Sequence, residues 1–162
     1  MSLRASPSTV AARGSHGRTI VPSRVGRVFE RLHADVRARF PRIRVVLRYG
    51  SPRLFPAPRD LAFTVDGPEK RVYVSRRLED EPAARIEGVL RHEFGHVVQF
   101  GAHRRTIHRA LPSLHPHLWH GHVEREADRI AWALWGDPIL YDDGRVQNLR
   151  CGTRPRPREL GL

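Results

Sequence analysis

Cysteine and lysine are nearly missing from this 162-residue sequence: each occurs once, at Cys151 and at Lys70. A single cysteine excludes an intrachain disulfide and any zinc site built on paired cysteines, and it suits a reducing compartment. Long apolar runs are missing too. None approaches the roughly 20 residues needed to cross a bilayer. The basic stretch from Ala5 to Ser23 also lacks the apolar centre of a secretory signal. A cytoplasmic chain with no membrane span is the expectation.

Acidic residues are comparatively few, with 17 Asp+Glu against 29 Lys+Arg and a formal charge of +12. Such an excess attracts nucleic acid or other polyanions. Arginine-rich composition alone accounts for the charge equally well, so nucleic acid stays open as a partner and charge does not decide it. Hydrophobic residues make up 40% of the chain, enough at this length for one domain with a real core. Nothing in the sequence indicates an oligomeric state.

The pattern along the chain predicts an α+β fold. Residues 1–22, rich in Ser, Arg, Gly and Pro, read as a flexible basic arm. Val25, Val28, Phe29, Leu32, Val36 and Phe40 then recur at helical spacing, with Ser23 as N-cap and Pro41 as a stop. Three strand-like segments follow, 42–49, 61–65 and 71–75. The turn Asp66-Gly67-Pro68-Glu69 joins the last two as a hairpin. Asp80 is expected to cap a second helix whose buried face is Ile86, Val89, Leu90, Val97 and Val98 and which ends near Gly101. After a loop rich in His, Arg and Pro, a third helix from about Leu118 to Leu134 carries Val123, Ala127, Ile130, Ala131 and Leu134 at core spacing. It stops at Gly136-Asp137-Pro138. Residues 23–145 therefore form the domain and 146–162 a Pro/Arg-rich tail.

The chemistry concentrates in His92-Glu93-Phe94-Gly95-His96, in the middle of the second helix. Histidines four apart on a helix stand roughly 40° apart around its axis and about 6 Å apart along it, so their rings can converge on one ion. Glu93 is placed to take a proton from metal-bound water and return it to a leaving amine. Zn2+ suits two neutral imidazoles and brings its bound water close to neutral acidity. Phe94 suits a packing contact and Gly95 the close approach of another element.

Zinc sites of this kind use a third protein ligand. The continuation with Gly at position 99 and His at position 102 fails, because those positions hold Gln99 and Ala102. Glu124 and Asp128, one turn apart on the third helix, fit better. Glu124 can ligate the ion while Asp128 accepts from a ring N–H of a ligand histidine and fixes its tautomer. Ala127 leaves room for the two helices to approach.

With Glu124-x-x-Ala127-Asp128 following the histidine pair, the chain resembles the gluzincin metallopeptidases in a minimal, minigluzincin-like form. The signature looks like that of the HtpX/Ste24-like group and is similar to the Glu-x-x-Ala-Asn/Asp segment of the ImmA/IrrE-like peptidases. A SprT-like protease would suit the basic charge. The resemblance covers roughly residues 23–136 and implies a small three-stranded sheet with the zinc helix packed on the glutamate helix. It also implies one zinc on His92, His96 and Glu124, Glu93 as general base, Asp128 as support, and a protein or peptide substrate. The chain departs from these groups in having no transmembrane helices, no substrate-reading module and no Cys-rich zinc module.

Other residues carry weaker expectations. His120 lies one turn before Glu124 and could donate a hydrogen bond to the oxyanion of a tetrahedral intermediate. His103, His108, His115, His117 and His122 read first as solvated or packing residues, the reading favoured for any single histidine here, His120 included. Arg104, Arg105 and Arg109 could bind an acidic substrate segment or a phosphate backbone, or equally form a solvated basic loop. Strand 71–75 is expected at the sheet edge beside the cleft, where a peptide could add as a further strand. Tyr73 is expected in the core, and Trp119, Trp132 and Trp135 are expected to pack the third helix. Asp142-Asp143 reads as a turn.

Two functions besides the soluble metallopeptidase are compatible with this pattern. One is a nucleic-acid-associated or regulatory binding protein that keeps a zincin scaffold. An intact Glu93 argues against it, since a scaffold has no need of a base. The other is a structural zinc site closed by a fourth ligand from the His-rich loop.

Overall fold

The fold is taken from a computed structural model that describes residues 23–102, 116–137, 154 and 156–160, with side chains of the last long helix described from Val123 onward. Helix α1 runs Arg24–Arg39, and the Ser23 hydroxyl accepts from the Gly26 N–H at 2.9 Å, as an N-cap should. Its buried residues Val25, Phe29, Leu32 and Val36 recur at intervals of four and three, which lines them along one face. Three strands follow: β1 (Val45–Tyr49), β2 (Ala62–Val65) and β3 (Lys70–Val74). Helix α2 spans Ala83–Ala102 and helix α3 spans Pro116–Trp135, ending at Gly136, whose φ of 91° suits glycine. The class is α+β: an N-terminal helix, a three-stranded mixed sheet and two packed helices.

The expected hairpin is present, with β2 antiparallel to β3. The expected position of the third strand is not. The order is β1-β3-β2, with β1 parallel to β3, so β3 is central and β2 is an edge strand. Burial explains the arrangement. Val72 and Val74 are both 0% exposed, whereas β2 has no buried residue, so the strand with the most buried side chains is the one with neighbours on both sides. Side chains alternate across a strand, so burying Val72 and Val74 turns Tyr73 to the opposite face. Tyr73 is half-buried there, stacked on Phe63, and does not join the core.

Asp80 does not cap α2. It closes a short 3-10 turn, Arg76–Asp80, and the helix starts at Ala83. The Pro82 carbonyl takes the N–H groups of both Arg85 and Ile86, and Pro82 itself has no N–H to satisfy.

The core lies where α1, α2, α3 and the inner sheet face meet. Phe94, fully buried, packs against Phe29 of α1 (centroids 5.1 Å apart) and Trp135 of α3 (6.3 Å). One motif residue therefore joins three helices. Trp135 also donates its indole N–H to Asp35 of α1 at 3.0 Å, and Trp132 is half-buried. From the C-terminal segment, Arg154 donates to the Ala133 carbonyl at 2.8 Å and Leu160 joins the core.

The α2–α3 contact positions the site. A Cβ built on Gly95 would lie 2.2 Å from the Ala127 carbonyl oxygen, so only glycine permits this approach. Ala127, itself fully buried, is small enough to receive it. Both residues behave as their size in the sequence suggests.

Candidate metal site

His92 and His96 lie on the face of α2 turned towards α3, from which Glu124 and Asp128 reach back. The donor atoms of His92, His96 and Glu124 all lie within 4.8 Å of one another. His92 Nε2 is 3.1 Å from His96 Nε2 and 2.9 Å from Glu124 Oε2, and His96 Nε2 is 3.4 Å from the same oxygen. Bonds of about 2.0–2.2 Å to a tetrahedral zinc separate its ligand atoms by roughly 3.3 Å. The triangle fits that requirement with no rearrangement.

The outward ring nitrogens make the fit chemical as well as geometric. His92 Nδ1 lies 2.7 Å from Asp128 Oδ1, and an ionised carboxylate can only accept, so Nδ1 carries the hydrogen. His96 Nδ1 lies 3.0 Å from the side-chain oxygen of Gln99. The Gln99 amide is oriented by its own NH2 group, which donates to the Val123 carbonyl of α3 at 3.0 Å. Both rings are thereby held with Nδ1–H outward and Nε2 towards the common point, the orientation a metal needs. The rings stand at 90° to each other, and His96 also stacks on Phe100.

These side chains set one another's protonation. Burial opposes a charge on His92, but the hydrogen bonds to Asp128 and Glu124, with the nearby Glu93 charge, overcome it and raise its pKa to about 10. Burial would raise the Glu124 carboxyl, yet its hydrogen bonds to His92 and His96 outweigh that and hold it well below the usual carboxylate range. A divalent cation at the common point would compete with the His92 proton for the same lone pair.

Glu93 is 5% exposed and is held from the sheet. The Thr64 hydroxyl lies 2.6 Å from Glu93 Oε2 and 3.2 Å from the Glu93 carbonyl oxygen. Among the described residues no hydrogen bond reaches Oε1. Thr64 stands on β2, so the edge strand is directly tied to the carboxylate that follows His92 on α2. The cluster opens on the Glu124 side, where that side chain is 32% exposed against 14% for His92 and 8% for His96.

The structure thus brings together five of the six residues singled out in the sequence: His92, Glu93, His96, Glu124 and Asp128. His120 is one turn before Glu124 on the helix, but its side chain lies outside the described residues. So do the side chains of Trp119, His117 and His122, and the whole of His103, Arg104, Arg105, His108, Arg109, His115, Asp142, Asp143 and Cys151. Residues 1–22 and most of the tail are likewise outside them.

Two residues went unnoticed in the sequence, Gln99 and Thr64. For Gln99 a signal existed, since it is three residues beyond His96 on the same helix and a polar residue at a core-facing position. Thr64 had none, because its neighbour depends on the strand order.

No helix among the described residues is long and apolar enough to cross a membrane. Comparison of the chain with protein-family models, with curated proteins and with solved structures gives no match. The arrangement therefore rests on its own geometry: a His-x-x-x-His pair and a glutamate, on two packed helices, able to hold one metal ion.

Proposed function

We propose that this chain is a soluble, cytoplasmic zinc-dependent metallopeptidase of gluzincin type that hydrolyses peptide bonds. The observation that carries the reading is the Glu93 carboxylate, fastened by Thr64 beside a triangle of ligand atoms of zinc dimensions. His92, His96 and Glu124 would hold the ion. Two imidazoles with one carboxylate form a donor set that suits zinc. When bound, zinc supplies an acidified water and polarises the scissile carbonyl.

The rest is done by the chain's own groups. Thr64 occupies Oε2 of Glu93, which leaves Oε1 to take the water proton and later pass it to the leaving amine. Asp128 and Gln99 keep the two rings from turning. The open edge of β2, not β3, is where an extended peptide would add as a strand, and Thr64 sets that edge beside the base. His120, one turn before Glu124, is the proposed donor to the oxyanion.

The test is Glu93→Gln assayed on a quenched fluorescent casein. Proteolysis should vanish while zinc stays near one ion per chain. Full activity in the variant, or a wild-type protein that binds no zinc, overturns the reading.

A further inference from the structure

The sheet has a second face, and its chemistry differs from that of the face on the core. The alternation that buries Val45, Val72 and Val74 turns Arg44, Arg48, Arg71, Tyr73 and Phe63 to the other side. The register puts Arg48 opposite Tyr73, and Tyr73 opposite Phe63, so a cation and two rings form one row across the strands. The two rings are stacked at 5.0 Å and 11°. Phe55, from the loop after β1, extends the row edge-on against Phe63 at 5.3 Å. None of these side chains belongs to the core.

Charge completes the description. Arg44, Arg48 and Arg71 are exposed, and among the described residues none of their side chains makes an ion pair or hydrogen bond. Arg31, Arg85 and Arg91, by contrast, are paired with Glu87 or Glu81. No acidic residue occurs within the three strands, and Glu69, which precedes β3 opposite Arg44, is the one carboxylate that the alternation puts at the margin of this face among the described residues. The face therefore combines unpaired guanidinium groups with a row of flat rings.

We propose that this outer sheet face binds single-stranded nucleic acid. A base can stack on the face of Tyr73 that Phe63 leaves uncovered, at the Arg48 end of the row, and guanidinium groups take phosphate oxygens in a bidentate fashion. A flat sheet suits splayed bases, where a duplex would call for an element that enters a groove. An acidic peptide brings nothing flat for the rings. A membrane surface is better met by apolar side chains that protrude than by rings paired with each other. The metal cluster lies beyond the inner face, where Thr64 reaches Glu93, so the two activities are on opposite sides of the sheet.

The full-length protein is titrated into a fluorescein-labelled oligothymidylate, read by anisotropy at several salt concentrations. Arg44→Gln/Arg48→Gln/Arg71→Gln should weaken binding at least about tenfold and lower the salt slope by about 2, roughly 0.7 per lost phosphate contact. Tyr73→Leu should weaken binding roughly tenfold and leave the slope unchanged, as loss of stacking does. Glu93→Gln should bind like wild type, and the arginine variant should keep its zinc and its melting temperature. Arginines elsewhere in the chain are common to all these proteins, so unchanged affinity in the triple variant overturns the proposal. Equal affinity for a duplex, or equal arginine-dependent binding to polyglutamate or to phosphatidylcholine–phosphatidylserine vesicles, overturns it in favour of a general anion surface.

Discussion

His92 and His96 stand one turn apart on the same helix and face the same point, yet their outer nitrogens are held by different chemistry. His92 is tethered across the helix interface to a carboxylate on α3 that is 2% exposed. His96 is tethered within its own helix to a neutral amide, and that amide is clamped to α3 in turn. The first ring thus depends directly on helix packing, and the second depends on it through an intermediary. The carboxylate gives the stronger, charge-assisted bond, whereas the amide fixes a tautomer without adding a negative charge. A site that takes a divalent cation gains from one such charge close by, and further buried carboxylates would each carry a desolvation cost.

The largest effect should come from abolishing both tethers together. Gly95→Ala drives a methyl group into the Ala127 carbonyl and must push α3 away, with Glu124, Asp128 and Val123 on it. Overpacking of this kind costs about 1–3 kcal/mol, and the variant should also lose its zinc on dialysis against a weak chelator. A variant of wild-type stability and zinc content would mean that the helices are not in this contact.

Breaking one tether at a time ranks them. Asp128→Asn should lower zinc affinity by about 10–100-fold, the range for groups that orient ligand histidines. Gln99→Leu should sit near the bottom of that range, because a neutral acceptor is lost. Chelator competition measures both. A larger loss in the Gln99 variant would invert the argument.

Protons provide a gentler probe of the same difference. With the His92 pKa raised from 6.5 to about 10, zinc binding at neutral pH should release close to one proton per ion. Calorimetry in buffers of different ionisation enthalpy counts it, and Asp128→Asn should reduce the count. In the zinc-free protein the His92 contribution to stability is complete below about pH 6.5 and is lost as pH rises through about 10. The Glu124 contribution has the opposite sense: present above about pH 4.5, lost as pH falls below it. Melting temperature in excess chelator should therefore peak between those limits, and a monotonic rise towards pH 10 would contradict it.

The smallest effect belongs to the base. Thr64→Val keeps the shape of β2 but removes the hydroxyl at Glu93. It should reduce kcat by about tenfold, the low end for one hydrogen bond to a charged group, with KM and zinc content unchanged. A change in KM alone would assign Thr64 to peptide binding.

How much of this could be read in advance differs from residue to residue. Val25, Phe29, Leu32 and Val36 sit on one side of α1 because a helix has a fixed period, and that period is visible in any sequence. The same period placed His92 beside His96 and Glu124 beside Asp128. It also let Asp128 be read as the partner of a ring. Asp80 was misjudged because a side chain able to cap is not obliged to, and the chain made a 3-10 turn first. Strand β3 was misplaced because a hairpin has two edges, and its sequence does not say which one a third strand will take. Thr64 escaped notice for the same reason, since strand order decides the neighbours of a strand residue, whereas the two-residue alternation with Val72 and Val74 already puts Tyr73 on the other face.

What the sequence determined alone is therefore local: the elements, the facing histidines, the facing carboxylates, and the small residues that let two helices touch. These follow from 3.6 residues per turn and from side-chain volume. The tertiary structure decided the rest. It put β3 at the centre of the sheet, brought Thr64 to Glu93, turned the Gln99 amide oxygen towards His96, and gathered exposed arginines and rings on the face away from the core. Those outcomes depend on contacts between segments far apart in the chain, where burial of the inner face of the central strand and satisfaction of buried polar groups select one arrangement among several that local preference allows.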